Sequence, residues 1–227
     1  MYLPPHFANA DLGRLHDVIE GRVFGLLIVA SAPVGAHHDE RAGIRPRDGA
    51  TDAAHIPFVL DRGEGSHGRL RGHFARPNPI WRAFDGETEA LAIFSGPDTY
   101  VSPDWYVTPH QVPTWNYIAV HVRGRPKVMD GAADVRRVLD DLSARNEERI
   151  AGKKPWTADK LPAEVYARMT KGIVAFEMPI ERIEGKWKLS QNRAEADRQG
   201  VVAALEALDD AGNDMGARAV AKAMRML

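Results

Sequence analysis

The chain of 227 residues contains no cysteine, which excludes disulfides and thiolate metal sites. It also lacks a long apolar run, since FGLLIVA at 24–30 is far shorter than a membrane-spanning helix requires. Its first ten residues, MYLPPHFANA, do not follow the basic, apolar and small-residue order of a signal peptide. These absences predict a cytoplasmic protein that does not cross a membrane.

The chain also has no excess of positive or of negative charge. The chain carries 30 basic and 31 acidic residues, for a formal net charge of −1. Because non-specific affinity for nucleic acid comes from many contacts between cations and phosphates, this balance provides no global attraction to DNA or RNA. Arg136, Arg137 and Arg145 leave a local DNA contact open, but acids lie between them on the predicted 131–149 helix, which favours a solvated, charge-balanced face.

Hydrophobic periodicity predicts strands in the first half of the chain and helices at its ends and after 131. Strands are expected over 25–30, 55–61, 68–75, 89–96, 114–129 with a bend near 124–126, and 173–183. Helices are expected over 8–22, 78–85, 131–149 and in the C-terminal region. Since the two kinds of element do not alternate regularly, we expect a mainly β fold with peripheral helices (α+β) rather than a doubly wound sheet. We expect one domain, 1–227, with a helical insertion at 131–172 and C-terminal helices at 190–227.

The segment RLRGHFARPNPIW combines a strand with a helix start. Period-two alternation places Arg69, Arg71 and His73 on one face, and the strand ends at Arg76. Asn78 then lies at the cap of the next helix. Guanidinium groups and helix N–H groups both suit phosphate oxygens, so the joint arrangement favours a phosphate site. The alternative is an amphipathic strand with a solvated basic face.

Two further segments could contact a ligand. In PTWNYIAVHVRG, Trp115 and Tyr117 share one strand face and can stack on a planar ring, although such aromatics also pack beneath helices. The segment EGKWKLSQNR at 184–193 holds three cations, one tryptophan and a Gln-Asn pair. Neither an ordinary surface helix nor an ordinary core strand has this density of hydrogen-bond donors.

The remaining sequence motifs give only weak evidence for a metal site or for catalysis. The four residues HHDE at 37–40 include metal-ligand types, but adjacent loop residues cannot all face one ion, so a solvated loop within 31–51 is expected. No nucleophile elbow, Walker loop or GxGxxG motif after a strand is present. We therefore assign no metal site and no catalytic residue.

Six blocks of the chain together have a specific order: MYLPPHF, HIPFVLD, LRGHFARPNPIW, FSGPDTYVSPDWY, VPTWNYIAVHVRGRPKVM and EGKWKLSQNR. In this order they resemble the PaiB-like FMN-binding proteins, often described as negative transcriptional regulators. The resemblance runs from Met1 to about Val202. It implies an FMN-binding split β-barrel, usually a homodimer with FMN at the dimer interface.

The resemblance also implies the cofactor-binding residues. The phosphate would be surrounded by Arg71, His73, Arg76 and Asn78. The flavin would lie near Trp115 and Asn116. The residues that would close the pocket, which can come from the second subunit, are Lys186, Trp187, Lys188 and Gln191. The set is completed by His55 of the HIPF block.

The chain departs from the family pattern at three places. Ala54 precedes the HIPF histidine where family members commonly have Thr or Asn, the loop at 31–51 is longer, and the loop at 106–113 is shorter and lacks a lysine-bearing segment. These changes affect the pocket around the flavin ring. Three functions follow: an FMN-binding regulator, a flavin-dependent oxidoreductase on the same fold, or a protein that kept the fold and lost flavin. No helix-turn-helix signature supports direct DNA binding.

Overall fold

The computed structural model describes residues 1–30, 51–210 and 216–227. The predicted loop at 31–51 lies outside this part except for Thr51, which begins a strand, and the HHDE segment lies wholly outside it. The described residues group into two compact units. Unit 1 contains residues 1–18, 95–121 and 184–227, and unit 2 contains residues 19–94 and 122–183. The single-domain arrangement stays a prediction.

Nine strands and five α-helices form within the described residues. The strands are β1 (Ala8–Asn9), β2 (Phe24–Ala30), β3 (Thr51–Asp61), β4 (Arg69–Ala75), β5 (Ala90–Val101), β6 (Thr114–Gly124), β7 (Lys127–Met129), β8 (Ile173–Pro179) and β9 (Arg182–Lys188). The helices are α1 (Leu12–Gly21), α2 (Ala132–Glu147), α3 (Ala163–Thr170), α4 (Glu195–Asp210) and α5 (Ala217–Arg225). Strand neighbours pair antiparallel, as in β2–β3, β3–β4 and β4–β8, so the predicted α+β class is confirmed.

Local sequence signals account for most element boundaries. Asp11 caps α1, because its Oδ1 accepts a hydrogen bond from the backbone N of Arg14 at 3.1 Å. The predicted hairpin between β3 and β4 is confirmed, and its turn uses Gly65 and Gly68 at positive φ. The bend predicted near 124–126 separates β6 from β7.

One element prediction was wrong, and another is confirmed as a different type of helix. The expected single strand over 173–183 is two strands, because β8 ends at Pro179 and the backbone N of Glu181 donates to the carbonyl of Arg123 at 2.9 Å. Proline has no N–H with which to continue a strand ladder. The short helix expected over 78–85 is a 3-10 helix over Pro79–Ala83.

The strands of unit 2 are ordered β5-β2-β3-β4-β8-β7. One face of this sheet is buried by rings: Phe58 packs edge-on against Phe94 at 5.3 Å between centroids, and Phe84 lies 4.9 Å from Phe176. Gly72 lets the rings approach the backbone, since a Cβ there would lie 2.8 Å from the Phe176 ring. The even-numbered residues of β4 therefore face an aromatic core.

The opposite face of the unit 2 sheet is covered by α2. Its buried residues Val138 and Leu142 pack against Val59 of β3 and Ala175 of β8. Strand β4 lies between those two strands, with Arg71 paired to Val59 on one side and to Glu177 on the other. The odd-numbered face of β4, predicted to be polar, thus lies beneath a helix rather than in solvent.

In unit 1 the strands β1, β9, β6 and the second half of β5 are neighbours in that order. Asn9 of β1 pairs with Gly185 of β9. A Cβ at Gly185 would lie 2.1 Å from Leu15 Cδ2 and 2.5 Å from the Trp187 ring, so only glycine fits there. Helices α4 and α5 complete the unit and bury Leu205 and Met224.

Within residues 1–30, 51–210 and 216–227, no helix has both the length and the apolar character needed to cross a bilayer. Over the same ranges, no cluster of three or more His, Asp or Glu side chains is arranged to hold a metal ion.

Candidate functional site

Arg71 is bonded to two carboxylates. Its Nε and Nη2 donate to the two oxygens of Asp61 at 2.6 and 2.7 Å, and Nη2 also donates to Asp141 of α2 at 2.7 Å. The residue is 5% exposed, and its Nη1 is buried without a hydrogen-bond partner. The hydrogen bond to Asp61 raises the pKa of Arg71, against the opposing effect of burial. Two carboxylates therefore neutralise the cation that the resemblance places at the phosphate.

Asp61 is the acidic partner of Arg71 in this network. Burial alone would raise the pKa of its carboxyl, but the hydrogen bonds and charges of Arg71 and Arg69 outweigh burial, and the pKa is lowered. Arg69 also donates to Glu177 of β8 at 3.0 Å. The basic face of β4 is thus matched by acids from β3, β8 and α2.

His73 lies further along the same face and has a different environment. Its Nδ1 is buried and forms no hydrogen bond within the described residues. Burial lowers the pKa of its imidazole, so the ring is neutral at pH 7. Nδ1 is thus a buried polar atom without a partner among the described residues, on the face that α2 covers, and it is not exposed to a ligand.

The turn after β4 is built by Arg76, Asn78 and Trp81. Arg76 donates through Nε to the carbonyl of Lys171 at 2.9 Å and through Nη2 to that of Ile173 at 3.0 Å. Asn78 Oδ1 accepts from the backbone N of Ile80 at 3.1 Å, as predicted for a cap. Trp81 Nε1 donates to the Arg76 carbonyl at 3.0 Å.

Two guanidinium groups flank the Trp81 ring. The Cζ atoms of Arg76 and Arg82 lie 6.0 and 5.5 Å from its centroid. Arg76 is exposed, and neither arginine forms an ion pair with a carboxylate in the described part of the chain. The turn therefore retains positive charge that an anion can use, in contrast to Arg71.

His55 is exposed on β3, where it pairs with Leu26 of β2. Its ring is stacked on that of Phe24, with 6.0 Å between centroids and an interplanar angle of 21°. A planar ligand would meet an aromatic surface here.

In unit 1, alternation along β6 separates Trp115 from Asn116, as predicted. Trp115 is 53% exposed and lies edge-on to Tyr100, with 6.1 Å between centroids. Asn116 is fully buried: its Nδ2 and Oδ1 lie 3.1 and 3.2 Å from Ser190 Oγ, and Nδ2 lies 3.4 Å from Met224 Sδ. Trp115 is available to a ring, whereas Asn116 links β6 to the turn after β9 and to α5.

Lys186 and Lys188 project from one face of β9 into an aromatic environment. Lys186 Nζ donates to the carbonyl of Tyr2 at 3.0 Å and lies 5.5 Å from the Tyr117 centroid. Lys188 Nζ donates to Thr114 Oγ1 at 2.5 Å. Neither lysine pairs with a carboxylate anywhere in the described ranges.

Trp187 and Gln191 shape this segment from inside. Trp187 is 9% exposed, on the opposite face of β9 from the lysines. Gln191 Oε1 accepts from the backbone N of Leu189 at 2.7 Å, and its Nε2 donates to the Trp187 carbonyl. Ser190, between them, has φ of 63°. Gln191 thus closes the turn that follows the lysines.

Sequence reasoning counted Arg193 among the cations but did not select it as a site residue. Its Cζ lies 5.1 Å from the Tyr106 centroid, and its Nη1 donates to Gln111 Oε1. Burial, and then the positive charges of Lys186 and Arg193, lower the pKa of Lys188. We call Lys186, Lys188 and Arg193 the cation cluster. The position of Arg193, two residues after Gln191 in the same segment, was the signal available in the sequence.

These residues fit the chemistry of FMN. The cation cluster offers three positive charges, of which Lys186 and Lys188 form no ion pair in the described residues and Arg193 interacts with the charge of Asp197. This excess of positive charge suits a phosphate or the polar edge of a flavin. In unit 2, the exposed Arg76 is a donor of the same kind, and the half-buried His73 ring lies on the same strand. Exposed rings at Trp115 and His55 provide surfaces on which a planar ring can stack. The donor set favours an anionic, partly aromatic ligand.

Comparison with known proteins agrees with this chemistry. Residues 1–182 match the family described as "Putative FMN-binding domain". The chain belongs to this family. FMN is accordingly the cofactor assigned to it, and the predicted resemblance to PaiB-like proteins is confirmed by a relative in Bacillus subtilis. That relative, "Protease synthase and sporulation protein PAI 2", is 30% identical over 206 residues, covering 91% of this chain and 89% of its own length.

Solved structures share the fold. The FAD and heme binding protein from Mycobacterium smegmatis is 19% identical, with a TM-score of 0.53, over 84% of this chain and 78% of its own. The conserved protein Rv2991 from Mycobacterium tuberculosis is 11% identical, with a TM-score of 0.54, over 85% of this chain and 92% of its own. At these identities the likeness concerns the fold alone.

Proposed function

We propose that this member of the FMN-binding family is a split-barrel flavoprotein of the PaiB-like regulator type. The observation that carries it is the cation cluster, where Lys186 and Lys188 form no ion pair with a carboxylate within the described residues and Arg193 adds a third positive charge near Lys188. In unit 1 these groups bind negatively charged or polar atoms of FMN, and Trp115 contacts the ring. Bound FMN supplies redox chemistry, while the protein supplies binding and positioning.

In unit 2 the proposed FMN ligands are Arg76 and His73. Asn78 acts as the cap that shapes the turn, and Arg71 acts mainly through its carboxylate partners. His55 offers a stacking surface. Ala54 adds no polar side chain next to it, so ring contacts rather than hydrogen bonds dominate at that point.

FMN titration tests this assignment. We expect the purified protein to quench FMN fluorescence on binding, and Lys186→Ala, Lys188→Ala or Arg76→Ala to weaken affinity about tenfold or more each, the equivalent of one lost charged hydrogen bond. Lys222→Ala on α5 and Arg168→Ala on α3 are matched controls, because both are exposed cations outside the proposed site. Unaltered affinity in all three site variants, or no binding by the parent protein, would refute the assignment.

The homodimer expected from the resemblance is proposed to form through unit 2. The face of β2 that carries Phe24, Leu26 and Ile28 is apolar and not buried, and Phe24 is 63% exposed. The neighbouring β5 adds Leu91 and Ile93 through the register Leu26↔Ile93 and Ile28↔Leu91. A continuous apolar strand face of this kind is typical of a protein–protein interface.

Mass in solution tests the dimer. Light scattering is expected to give twice the chain mass of 25.1 kDa. Phe24→Lys should shift the protein toward monomer, whereas Met169→Lys, at an exposed position on α3, should not. A monomeric parent protein would contradict the proposed interface.

A regulator of this type does not use α2 as a DNA-binding helix. Arg136 donates to Asp140 at 3.2 Å, Arg137 lies 3.6 Å from Asp134, and Arg145 donates to the Leu60 carbonyl at 2.8 Å. The arginines of α2 are thus already engaged. Binding to promoter fragments at low salt, weakening steeply as salt rises, would support a direct contact elsewhere on the chain.

The alternative function is a flavin-dependent oxidoreductase. It is favoured by the excess positive charge of the cation cluster, since positive charge near a flavin ring tunes its electronics toward reduction. Bleaching of bound flavin by NADH or NADPH under anaerobic conditions supports this reading, and absence of reductant-dependent turnover counts against it. A colourless protein that gains no flavin absorbance with added FMN would instead indicate the fold without the cofactor.

A further inference from the structure

The loop between β5 and β6 is fastened to helix α4 by one carboxylate. Asp197, in the first turn of α4, accepts from the backbone N of Val107, the backbone N of Thr108 and Thr108 Oγ1, each at 2.8 Å. Asp197 is only 2% exposed. We call residues 103–111 the strap. Three hydrogen bonds to one buried carboxylate hold the middle of the strap on the helix.

A second contact fixes the start of the strap. A Cβ at Gly200 of α4 would lie 2.3 Å from the carbonyl oxygen of Trp105, so the helix approaches the strap closely at this point. Any side chain at Gly200 would push the strap away. Asp197 and Gly200, one helical turn apart, together define where the strap lies in unit 1.

The strap in turn holds Arg193 of the cation cluster. The Tyr106 ring faces the guanidinium at 5.1 Å, and Gln111 Oε1 accepts from Nη1. Tyr106 is 8% exposed, and its hydroxyl is buried without a hydrogen-bond partner. Both groups that orient Arg193 therefore belong to a loop that has no regular structure beyond Trp105.

We propose that Asp197 is a positioning residue for the anion-binding site of unit 1: it docks the strap, and the strap holds Arg193 toward Lys188. This role rests on the FMN binding proposed above, because the ligand of the cluster is taken to be FMN. Asp197 itself does not touch the ligand. It acts on Arg193 through Tyr106 and Gln111, and its negative charge also interacts with Arg193 directly.

The pKa of Lys188 in the ligand-free protein depends on the position of Arg193. After burial and Lys186, the charge of Arg193 is a cause that lowers the pKa of Lys188. If the strap is released and Arg193 moves away, this pKa rises. A protein that is merely less stable, with the strap in place, would show no such change.

The test compares Asp197→Ala with Glu195→Ala. Both remove one carboxylate from the first turn of α4, but Glu195 is 67% exposed and bonds Arg198 and Gln199, not the strap. Asp197→Ala removes the acceptor of all three strap hydrogen bonds, whereas Asn would keep the Oδ1 that accepts two of them.

In Asp197→Ala we expect a higher Lys188 pKa by NMR titration of the apo protein and about tenfold weaker FMN binding. Loss of the Asp197 charge by itself would lower this pKa, so a rise reports that Arg193 has moved away. Glu195→Ala should change neither readout. A lower melting temperature in Asp197→Ala without a rise in the Lys188 pKa and with unaltered FMN affinity would overturn the proposal and leave Asp197 purely structural.

Gln111→Leu provides a second route if Asp197→Ala folds poorly. It removes the partner of Arg193 Nη1 and leaves the three bonds to Asp197 in place. The Lys188 pKa should rise here too, and an unchanged value would refute the role of the strap. If the parent protein fails to bind FMN, the proposed function fails, yet the Lys188 titration in the apo protein still decides whether Asp197 positions Arg193.

Discussion

Arg71 Nε lies 2.6 Å from Asp61 Oδ2, and Nη2 of the same guanidinium lies 2.7 Å from Asp141 of α2. The pair joins two adjacent strands, and its extension to Asp141 fastens the helix to the sheet. A residue that the resemblance places at a phosphate is therefore also the central cation of a buried network. Its two roles have different consequences when the side chain is removed.

Replacing Arg71 should destabilise the protein strongly. Arg71→Met removes the cation between Asp61 and Asp141 and leaves Asp61 with Arg69 alone, and breaking a buried pair typically costs about 3–5 kcal/mol. Arg69→Met is the matched control: its side chain is 27% exposed, against 6% for Arg71, so a smaller loss is expected. Urea unfolding measures both. Weakened FMN binding by Arg71→Met with undiminished stability would show that the phosphate role dominates.

The same network predicts how stability depends on acid. The folded-state pKa of Asp61 is lowered below its ordinary 3.8, so its contribution is present above that value and is lost as pH falls through the lower folded-state pKa. We expect the free energy of unfolding to decline below about pH 4. In Asp61→Asn this decline should be smaller, because the group can no longer titrate. Identical pH profiles for the two proteins would contradict the prediction.

Asn116 should behave as a structural residue. Removing its amide leaves Ser190 Oγ buried without its partner, a loss of about 1–3 kcal/mol in stability. Asn116→Ala should therefore unfold at lower temperature while its FMN affinity stays within about twofold of the parent, a difference below 1 kcal/mol. Trp115→Ala should do the reverse, since that ring is 53% exposed. The opposite pattern would make Asn116 a ligand and Trp115 a packing residue.

A methyl group at Gly185 should not be tolerated. Gly185→Ala would place Cβ 2.1 Å from Leu15 Cδ2, and overpacking of this kind costs roughly 1–3 kcal/mol or more. Gly21→Ala, at the end of α1, has nothing within 4 Å of the new Cβ and should be neutral or slightly stabilising. Thermal unfolding of the two variants measures the contrast. Equal melting temperatures would show that β9 can shift away from α1.

Hydrophobic periodicity was sufficient to predict most of the helices and strands, because each of them depends on residues close together in the sequence. The alternation along β4 and β6, the cap at Asp11 and the helical stripe of α2 were all readable, and the structure confirms them. Strand β9 was not predicted, because an ordinary core strand does not carry this density of hydrogen-bond donors. Its lysines are tolerated because their ammonium groups meet rings and carbonyls instead of apolar side chains.

The partners of the charged residues could not be predicted. Arg71 bonds Asp61 and Asp141, which are 10 and 70 positions away in the chain, and no local pattern encodes either separation. Arg193 was passed over for a similar reason: its orientation depends on Gln111, 82 positions earlier. A sequence shows which face carries charge, but not whether that charge is already neutralised.

The pairing of Asn9 with Gly185 has a consequence for synthesis in the cell. At ribosomal speeds, on the order of ten seconds or more separate the emergence of these two partners. Until then β1 has no strand with which to pair. Residues such as Phe7 and Leu15 remain exposed and can bind chaperones or neighbouring nascent chains. Unit 2 is complete only at residue 183, two residues before Gly185, so the partner of β1 emerges almost together with the last strand of unit 2.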